Sequence, residues 1–147
     1  MVNDFAGVLP VAVDKLADAG MTDRVQLRAG DFRTLDFEPG GYDLVVLGHV
    51  CRTEGIDGAP ALIRRAFDAL APGGRLVIAD YFPDNERKAN PFGVLMGATM
   101  MASTERGFTF THGQYVEWLR EAGFRPTRLI EPIGFNQVFI STKPTAP

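Results

Sequence analysis

A cluster of polar side chains follows a short apolar run near the middle of the chain. Residues 44–47 are Leu-Val-Val-Leu, Gly48 ends the run, and His49, Cys51 and Arg52 come next. An imidazole can exchange a proton near neutral pH, and a guanidinium binds and orients anionic oxygens. The pattern fits a site for acid–base or anion chemistry, and it fits equally well an ordinary transition from a strand to a loop.

The elements around this cluster predict a βαβ unit. The run 44–47 is too short for a helix and too apolar for a one-faced strand, which predicts a strand buried on both faces of a parallel sheet. A helical pattern over 60–70, a Pro-Gly-Gly turn and a second apolar strand ending at Asp80 follow. Ligands bind beyond the carboxyl ends of such strands, so the polar cluster marks the predicted site.

Two signals organise the C-terminal part of the sequence. Thr111 and Gln114 have the spacing of a capping box, which predicts a helix from Thr111 to Ala122. Two strands are predicted after it, over 125–131 and 135–142, with a hairpin at 133–134 and therefore an antiparallel pair.

Composition limits the functional classes. The 147 residues suit one domain, 1–147, and the 46% apolar and 22% charged content is that of an ordinary globular protein. The net charge of -3 argues against nucleic acid and anionic membranes as partners, and no apolar run reaches the ~20 residues that span a bilayer. Cys51 is the single cysteine, and no Cys/His cluster has zinc spacing, so neither a disulfide nor a metal site is expected. A cytoplasmic location is the resulting expectation.

Four motifs give the chain a family resemblance. It resembles class I S-adenosylmethionine-dependent methyltransferases, and most closely the small-molecule O-methyltransferases of the plant caffeate and bacterial polyketide type, over nearly its whole length. The motifs, in order, are Gly30-Asp31-Phe32, Tyr42-Asp43-Leu44, the Pro-Gly-Gly turn of 70–76, and Glu105-Arg106-Gly107 followed by 119–124. The resemblance implies an α/β fold: a Rossmann-like, mostly parallel sheet with helices on both faces and an antiparallel C-terminal edge. It also implies methyl transfer from S-adenosylmethionine, with S-adenosylhomocysteine as product, to a hydroxyl of a small aromatic or polyketide-like acceptor.

The resemblance also assigns residues to the cofactor. Asp4, at the end of a short strand, would hold the ribose hydroxyls, Asp31 would accept a hydrogen bond from the adenine amino group, and Phe32 would pack on the adenine face. Phe5, Gly30 and Gly48 complete the cofactor-binding set. Against this stands the commoner role of an aspartate in a turn, which is to cap the local backbone.

The family's glycine-rich loop and first strand have no counterpart before Asp4. The sequence therefore resembles the C-terminal portion of a larger enzyme, with the first strand and glycine loop absent. Because the first strand is central in the family's sheet, its absence predicts unpaired inner edges, which favour a homo-oligomer or association through the edge.

A methionine-rich helix is predicted over 92–102. Its residues Met96, Met100 and Met101 are expected to pack in the core, as such helices usually do, or to line the acceptor pocket, as the resemblance implies.

The catalytic residues are predicted to be His49 and Arg52. In the plant-type enzymes a histidine beyond the fourth strand is the general base, and the alignment puts Arg52, not His49, at that position. Arginine is a poor base. Two alternatives remain: His49 serves as the base, or no base is used and Arg52 orients an acidic acceptor or stabilises a phenolate. A different reading of the whole chain is a non-catalytic remnant that self-associates and does not bind the cofactor alone.

Overall fold

The computed structural model describes residues 1–130 and 136–145, so the hairpin predicted at 133–134 lies outside the described residues. The chain divides into two compact units, Met1–Phe37 and Glu38–Pro147, and each is described by itself. Across the described residues, no helix combines the length and the apolar character needed to cross a membrane.

The first unit contains a pair of parallel strands and one helix. Strand β1 (Val2–Asp4) pairs with β2 (Leu27–Ala29), and helix α1 (Leu9–Asp18) connects them. The helix begins with Pro10 in its first turn, where the missing N–H leaves no bond unmade. The parallel pairing brings the carboxyl ends of β1 and β2 side by side, with Asp4 opposite Ala29.

The second unit is built on a four-stranded sheet. Its strands lie in the order β3-β4-β6-β5, with β3 and β4 parallel and β6 antiparallel to both of its neighbours. The predicted mostly parallel sheet with an antiparallel C-terminal strand is confirmed, and that strand lies one place in from the edge. The elements are β3 (Tyr42–Gly48), α2 (Gly55–Ala69), β4 (Leu70–Asp80), α3 (Pro91–Ser103), α4 (His112–Glu121), β5 (Arg128–Ile130) and β6 (Gln137–Thr142).

Strand β3 is an edge strand in this sheet. Within the described residues it pairs only with β4. Leu44 is 55% exposed and Val46 is 59% exposed, so the prediction of a strand buried on both faces is wrong. Leu44 and Val46 lie on the same face of the strand, and within the described residues that face is left open to solvent.

Strand β4 is the central strand, and its N-terminal part contains the predicted turn. Leu76 and Ile78 are buried and Val77 between them is less so, because successive side chains of a strand point to opposite faces. The pairing shifts between Tyr42, opposite Leu70, and Leu44, opposite Arg75. The extra residues form a bulge in which Gly73 has φ +80°, a conformation that favours glycine.

Helix α4 confirms the predicted capping box. The Gln114 backbone N–H donates to Thr111 Oγ1 at 3.4 Å, and the Thr111 N–H donates to Gln114 Oε1 at 2.9 Å. The cap orients the helix so that Tyr115 packs against Phe82 and Phe139, with ring centroids 4.7 and 5.7 Å away. This aromatic group forms the core beneath the carboxyl end of β4.

Helix α3 packs through its glycines. Gly93 and Gly97 are buried, and Thr109 Oγ1 donates to the Gly93 carbonyl at 2.8 Å. A Cβ at position 97 would lie 2.6 Å from Thr109 Oγ1, so only glycine allows this approach. The large side chains of α3 are partly buried or exposed, and Leu95 and Met101 are among the exposed ones. The interpretation of this helix as a core helix is therefore wrong.

Candidate active site

The carboxyl ends of β3 and β4 bring three polar side chains together. Gly48 lies opposite Ala79 in the parallel register, and the His49 N–H donates to the Ala79 carbonyl at 2.8 Å. A short 3₁₀ turn, Cys51–Thr53, folds Arg52 back toward β4. Arg52 Nη1 then lies 2.9 Å from Asp80 Oδ1 and 2.6 Å from His49 Nδ1.

The backbone of His49 takes an unusual conformation to reach this position. Its φ is +56°, in the left-handed region. That region costs a non-glycine residue on the order of 1–3 kcal/mol and persists only where the surroundings hold it. Here the hydrogen bond to Ala79 and the contact with Arg52 hold it, and the imidazole comes to lie beside the guanidinium rather than along the strand.

An aromatic ring packs against both basic side chains. The Tyr81 ring centroid lies 4.9 Å from that of His49, and the Arg52 guanidinium carbon lies 5.4 Å from it. Phe92, at the start of α3, meets Tyr81 edge-to-face at 4.8 Å. The sequence reasoning did not include Asp80 or Tyr81 among the site residues. Their place at the carboxyl end of β4 was the signal that could have identified them.

The cluster is buried on the side of Asp80. The Asp80 side chain is 2% exposed and that of Arg52 is 18% exposed, while His49 is more open. Asp80 Oδ2 and Arg52 Nε are buried and have no hydrogen-bond partner within the described residues. The site therefore contains a buried ion pair, and within the described residues each partner has one polar atom without a hydrogen bond.

Two ionisable groups lie behind the ion pair. Cys51 and Tyr115 are both buried. Burial, and then the negative charge of Asp80, raise the pKa of the Cys51 thiol above its ordinary value. Burial and the neighbouring Cys51 and Asp80 likewise raise the pKa of the Tyr115 hydroxyl. Both groups are neutral near pH 7, so neither is a nucleophile or a base in this site.

In the first unit, the predicted cofactor residues meet at the carboxyl edge of β1 and β2. The Gly30 N–H donates to the Asp4 carbonyl at 3.0 Å, and Asn3 Nδ2 donates to the Gly30 carbonyl at 3.1 Å. The Phe5 N–H donates to Asp4 Oδ1 at 2.8 Å, and the Phe5 ring is exposed. Gly30 has φ +152°, and a Cβ there would lie 3.0 Å from Leu35 Cδ1. The edge presents a carboxylate and an open aromatic ring, which suits the ribose and the base of a nucleoside.

Asp31 makes mainly local contacts. Its carboxylate accepts from the Arg33 backbone N–H at 2.9 Å, and Arg33 Nη1 lies 3.2 Å from Oδ2. The backbone hydrogen bond, with the Arg33 side chain assisting, lowers the pKa of this carboxyl below its ordinary value. The Arg33 guanidinium also lies 5.1 Å from the Phe32 ring centroid. In this structure Asp31 has the local capping role that the sequence left open.

The other predicted residues lie at different places in the second unit. Gly48 is exposed at the end of β3, and a Cβ there would have no heavy atom within 4 Å. Met101 lines a cavity of about 440 Å³, which Met96 and Met100 do not line. The other lining residues are Ile56, Thr104, Glu105, Arg106, Gly107, Phe108, Phe110 and Gln114. His49, Arg52 and Asp80 are not part of that cavity.

In residues 1–130 and 136–145, no three His, Cys, Asp or Glu side chains are grouped closely enough to hold a metal ion.

Comparisons with known proteins identify relatives along nearly the whole chain. The tetracenomycin polyketide synthesis 8-O-methyl transferase TcmO of Streptomyces glaucescens is 30% identical over 141 residues, which are 96% of this chain and 41% of TcmO. The L-tyrosine C(3)-methyltransferase of Streptomyces lavendulae is 33% identical over 119 residues, 80% of this chain and 32% of that protein. The solved structure of the S-adenosylmethionine-dependent methyltransferase SibL, in its apo form, is 30% identical with a TM-score of 0.83 and covers 97% of this chain and 42% of SibL.

The chain spans about two fifths of the length of TcmO and of SibL. The family model of the O-methyltransferase domain matches residues 1–125, which is most of the sequence. The chain belongs to the O-methyltransferase domain family.

Proposed function

We propose that this chain is part of an S-adenosylmethionine-dependent O-methyltransferase that acts on a hydroxyl of a small aromatic or polyketide-like molecule. The observation that carries the proposal is the group of His49, Arg52 and Asp80 at the carboxyl ends of two parallel strands, where sheets of this kind bind ligands. Membership of the O-methyltransferase domain family and the polyketide substrate in the name of TcmO support the reaction and the acceptor class.

The cofactor residues are proposed as a set. Bound S-adenosylmethionine supplies a methyl group on a positively charged sulfur. Asp4 accepts from the ribose hydroxyls, since only one of its two carboxylate oxygens is used by the Phe5 N–H. Asp31 accepts from the adenine amino group, and Phe5 and Phe32 pack on the base. Gly30 and Gly48, without side chains, let the backbone approach the ligand.

The acceptor residues are proposed on chemical grounds. Methyl transfer is an in-line displacement, so the protein's main task is to hold the acceptor oxygen in line with the methyl group. Arg52 and His49 present nitrogen groups for that oxygen. Met96, Met100 and Met101 form the wall for the flat part of the molecule, because thioether side chains adapt to aromatic surfaces. Of the three methionines, Met101 lines the cavity of about 440 Å³.

We also propose that copies of the chain associate through the open edge of β3. The exposed Leu44 and Val46 on an edge strand support this proposal, because such an edge pairs readily with another strand. Light scattering after gel filtration tests it: the chain is expected to elute as a dimer or larger species, and Val46→Lys is expected to shift it toward the monomer. A monomeric wild-type chain would contradict the proposal.

The proposed cytoplasmic location rests on the composition alone.

Calorimetric titration with S-adenosylhomocysteine, the product that shares the cofactor site, tests the cofactor assignment. We expect micromolar binding, about -8 kcal/mol. Asp4→Asn removes the charge at the ribose and is expected to weaken binding about tenfold. Asp14→Asn, on the exposed surface of α1, is the matched control and should bind as the unaltered chain does. Absence of binding at millimolar ligand would contradict the assignment of the cofactor site to this chain.

A second function is favoured by the contacts of Asp31. Its carboxylate is engaged by both the backbone and the side chain of Arg33, which suits a remnant that has kept the fold and lost the cofactor. The same titration separates the two functions, because a remnant does not bind S-adenosylhomocysteine at any accessible concentration.

A further inference from the structure

We propose that His49 and Arg52 form a hydrogen-bond donor site that binds the acceptor as an ionised phenol, with Asp80 as the positioning residue. This proposal rests on the proposed methyl transfer and specifies its substrate: an acceptor that loses its phenolic proton to solvent, not to a protein base. It also chooses between the two roles that the sequence left open for His49.

The tautomer of His49 is set by its contact with Arg52. A guanidinium carries only donors and stays protonated in proteins. Since Arg52 Nη1 lies 2.6 Å from His49 Nδ1, that nitrogen must be the acceptor of the hydrogen bond. In the neutral ring the proton is then on Nε2, which becomes a donor. A ring held in this tautomer has no free lone pair with which to take a proton from a phenol.

A competing contact would give the opposite result. His49 Nδ1 is also 3.5 Å from Asp80 Oδ1, and a proton on Nδ1 could point to that oxygen. The distances favour the first arrangement, because 3.5 Å is at the limit of a hydrogen bond whereas 2.6 Å is a short one. Asp80 Oδ1 is in addition already bonded to Arg52 Nη1 at 2.9 Å. Asp80 therefore acts through Arg52: it fixes the guanidinium that fixes the ring.

Several N–H groups remain for a ligand. Within the described residues, Nη1 is the nitrogen of Arg52 with hydrogen-bond partners, and the buried Nε has none. The half-exposed His49 adds its Nε2–H, which has no partner in the described part of the chain. Donors without partners cost free energy when they are buried, and an anionic oxygen is the acceptor that satisfies them best.

Asp80, Cys51 and Tyr115, which lie close to this pair in the described part of the chain, do not replace His49 as a base. Asp80 is engaged by Arg52, and the raised pKa values of Cys51 and Tyr115 keep both neutral. Tyr81 contributes its ring, which contacts the imidazole and the guanidinium.

The transfer step then moves no proton. The phenolate oxygen attacks the methyl carbon, an O–C bond forms, and the C–S bond breaks with its electron pair remaining on sulfur. The anion becomes a neutral ether and the sulfonium becomes a neutral thioether. Arg52 and His49 orient the oxygen before the step, and that oxygen loses its negative charge as the ether forms.

Nuclear magnetic resonance of the histidine nitrogens tests the tautomer directly. The chain is labelled with ¹⁵N-histidine and long-range ¹H–¹⁵N correlations are recorded at about pH 8, above the ordinary imidazole pKa. The chain has two histidines, so a His112→Gln variant assigns the signals. We expect the His49 proton on Nε2. A proton on Nδ1 would make Nε2 a base and overturn the proposal.

Binding of 4-nitrophenol, whose colour reports its ionisation, tests the anion site without cofactor. Because a cation and its N–H donors favour the charged form, we expect the bound dye to ionise about 1 pH unit lower than the free dye. His49→Gln retains an N–H donor and should keep most of the shift, whereas His49→Leu should lose a large part of it. Absence of dye binding, absence of the shift, or an undiminished shift in His49→Leu would overturn the proposal.

The two proposals fail separately in these experiments. If the dye shift and the Nε2 tautomer are found but S-adenosylhomocysteine does not bind, the proposed methyl transfer is contradicted and the proposed anion site is supported. If the cofactor product binds and the tautomer is the opposite one, the function remains and His49 is a base.

Discussion

Asp80 and Asp31 each lie at the carboxyl end of a strand and each pair with an arginine, but the two pairs differ in burial and in sequence separation. Asp80 is 2% exposed and binds Arg52, which is 28 residues away in the sequence, whereas Asp31 is 35% exposed and binds Arg33, two residues on. The first pair joins the ends of β3 and β4. The second pair lies within a single turn.

The Asp80–Arg52 pair is held in place by the tertiary fold, whereas the Asp31–Arg33 pair is held by a local turn. An exposed ion pair contributes about 0–1 kcal/mol, while removing one partner of a buried pair costs about 3–5 kcal/mol because the other charge is left unpaired. The residues proposed to hold the acceptor are therefore fixed by the packing of the sheet. Asp31, which is proposed to bind the cofactor, is held by a neighbour in sequence, and a ligand can compete for that contact at low cost.

The largest expected effect is on stability. Arg52→Met removes the guanidinium and leaves Asp80 buried without its partner, so we expect the free energy of unfolding to fall by about 3–5 kcal/mol. Arg33→Met removes the exposed partner of Asp31 and should cost less than about 1 kcal/mol. Urea denaturation followed by circular dichroism measures both values.

If Arg52→Met and Arg33→Met reduced the free energy of unfolding equally, burial would not explain any difference in strength between the two ion pairs. The double variant Arg52→Met with Asp80→Leu sharpens the result, because it removes both buried charges. It should recover most of the stability that Arg52→Met alone loses, since apolar side chains of similar volume often replace a buried ion pair at little cost.

A smaller effect is expected on ligand affinity in the first unit. Asp31→Asn should change the free energy of unfolding by less than about 0.5 kcal/mol, as surface substitutions do. It should weaken S-adenosylhomocysteine binding about tenfold, or about 1.4 kcal/mol. Calorimetry measures the affinity, and Asp36→Asn, an exposed aspartate of the same loop, is the control. Unchanged affinity in Asp31→Asn would assign the carboxylate to the turn alone.

The smallest expected effect appears in acid. Hydrogen bonds lower the pKa of three exposed carboxyls: that of Asp31 through the Arg33 N–H, that of Glu117 through Arg120, and that of Asp84 through four loop N–H groups that outweigh its desolvation. A lowered folded-state pKa stabilises the fold above the ordinary carboxyl pKa of about 4, and the contribution is lost as pH falls through the folded value. The urea midpoint should therefore decrease slightly between about pH 5 and pH 3.

The variant Asp84→Asn tests how much of this acid effect comes from Asp84. The amide oxygen can still accept from the loop N–H groups but does not titrate, so the variant should show a smaller decrease over the same pH range. A decrease as large as that of the unaltered chain would assign the acid sensitivity to other carboxyls.

The parts of the fold that are determined by residues close together in the sequence could be predicted from it. The capping box of Thr111 and Gln114 specifies the start of α4, and the apolar run after the Pro-Gly-Gly turn predicts β4. The parallel order of β3 and β4 followed from the helical pattern between them. The same reasoning placed His49 and Arg52 at the carboxyl end of a strand, where the structure has them.

The features that depend on distant partners could not be predicted in this way. The composition of Leu44 and Val46 is that of a strand covered on both faces, and no neighbouring residue in the sequence indicates that one face is open. The apolar residues of α3 suggested a core helix, whereas two glycines make the contact. Asp80 was read as the end of a strand, and only the fold of the 3₁₀ turn at Cys51–Thr53 brings Arg52 to it.

The glycine contact of α3 has a consequence for how this helix can evolve. Gly93 and Gly97 attach the helix to Pro83 and Thr109 by its backbone, so the fold constrains two small residues and leaves the large ones unconstrained. Substitutions at Leu95 or Met101, which are exposed, change the surface of the helix without opening a cavity in the core. Substitutions on the exposed positions of this helix are therefore expected to be tolerated more readily than substitutions of the two glycines that attach it.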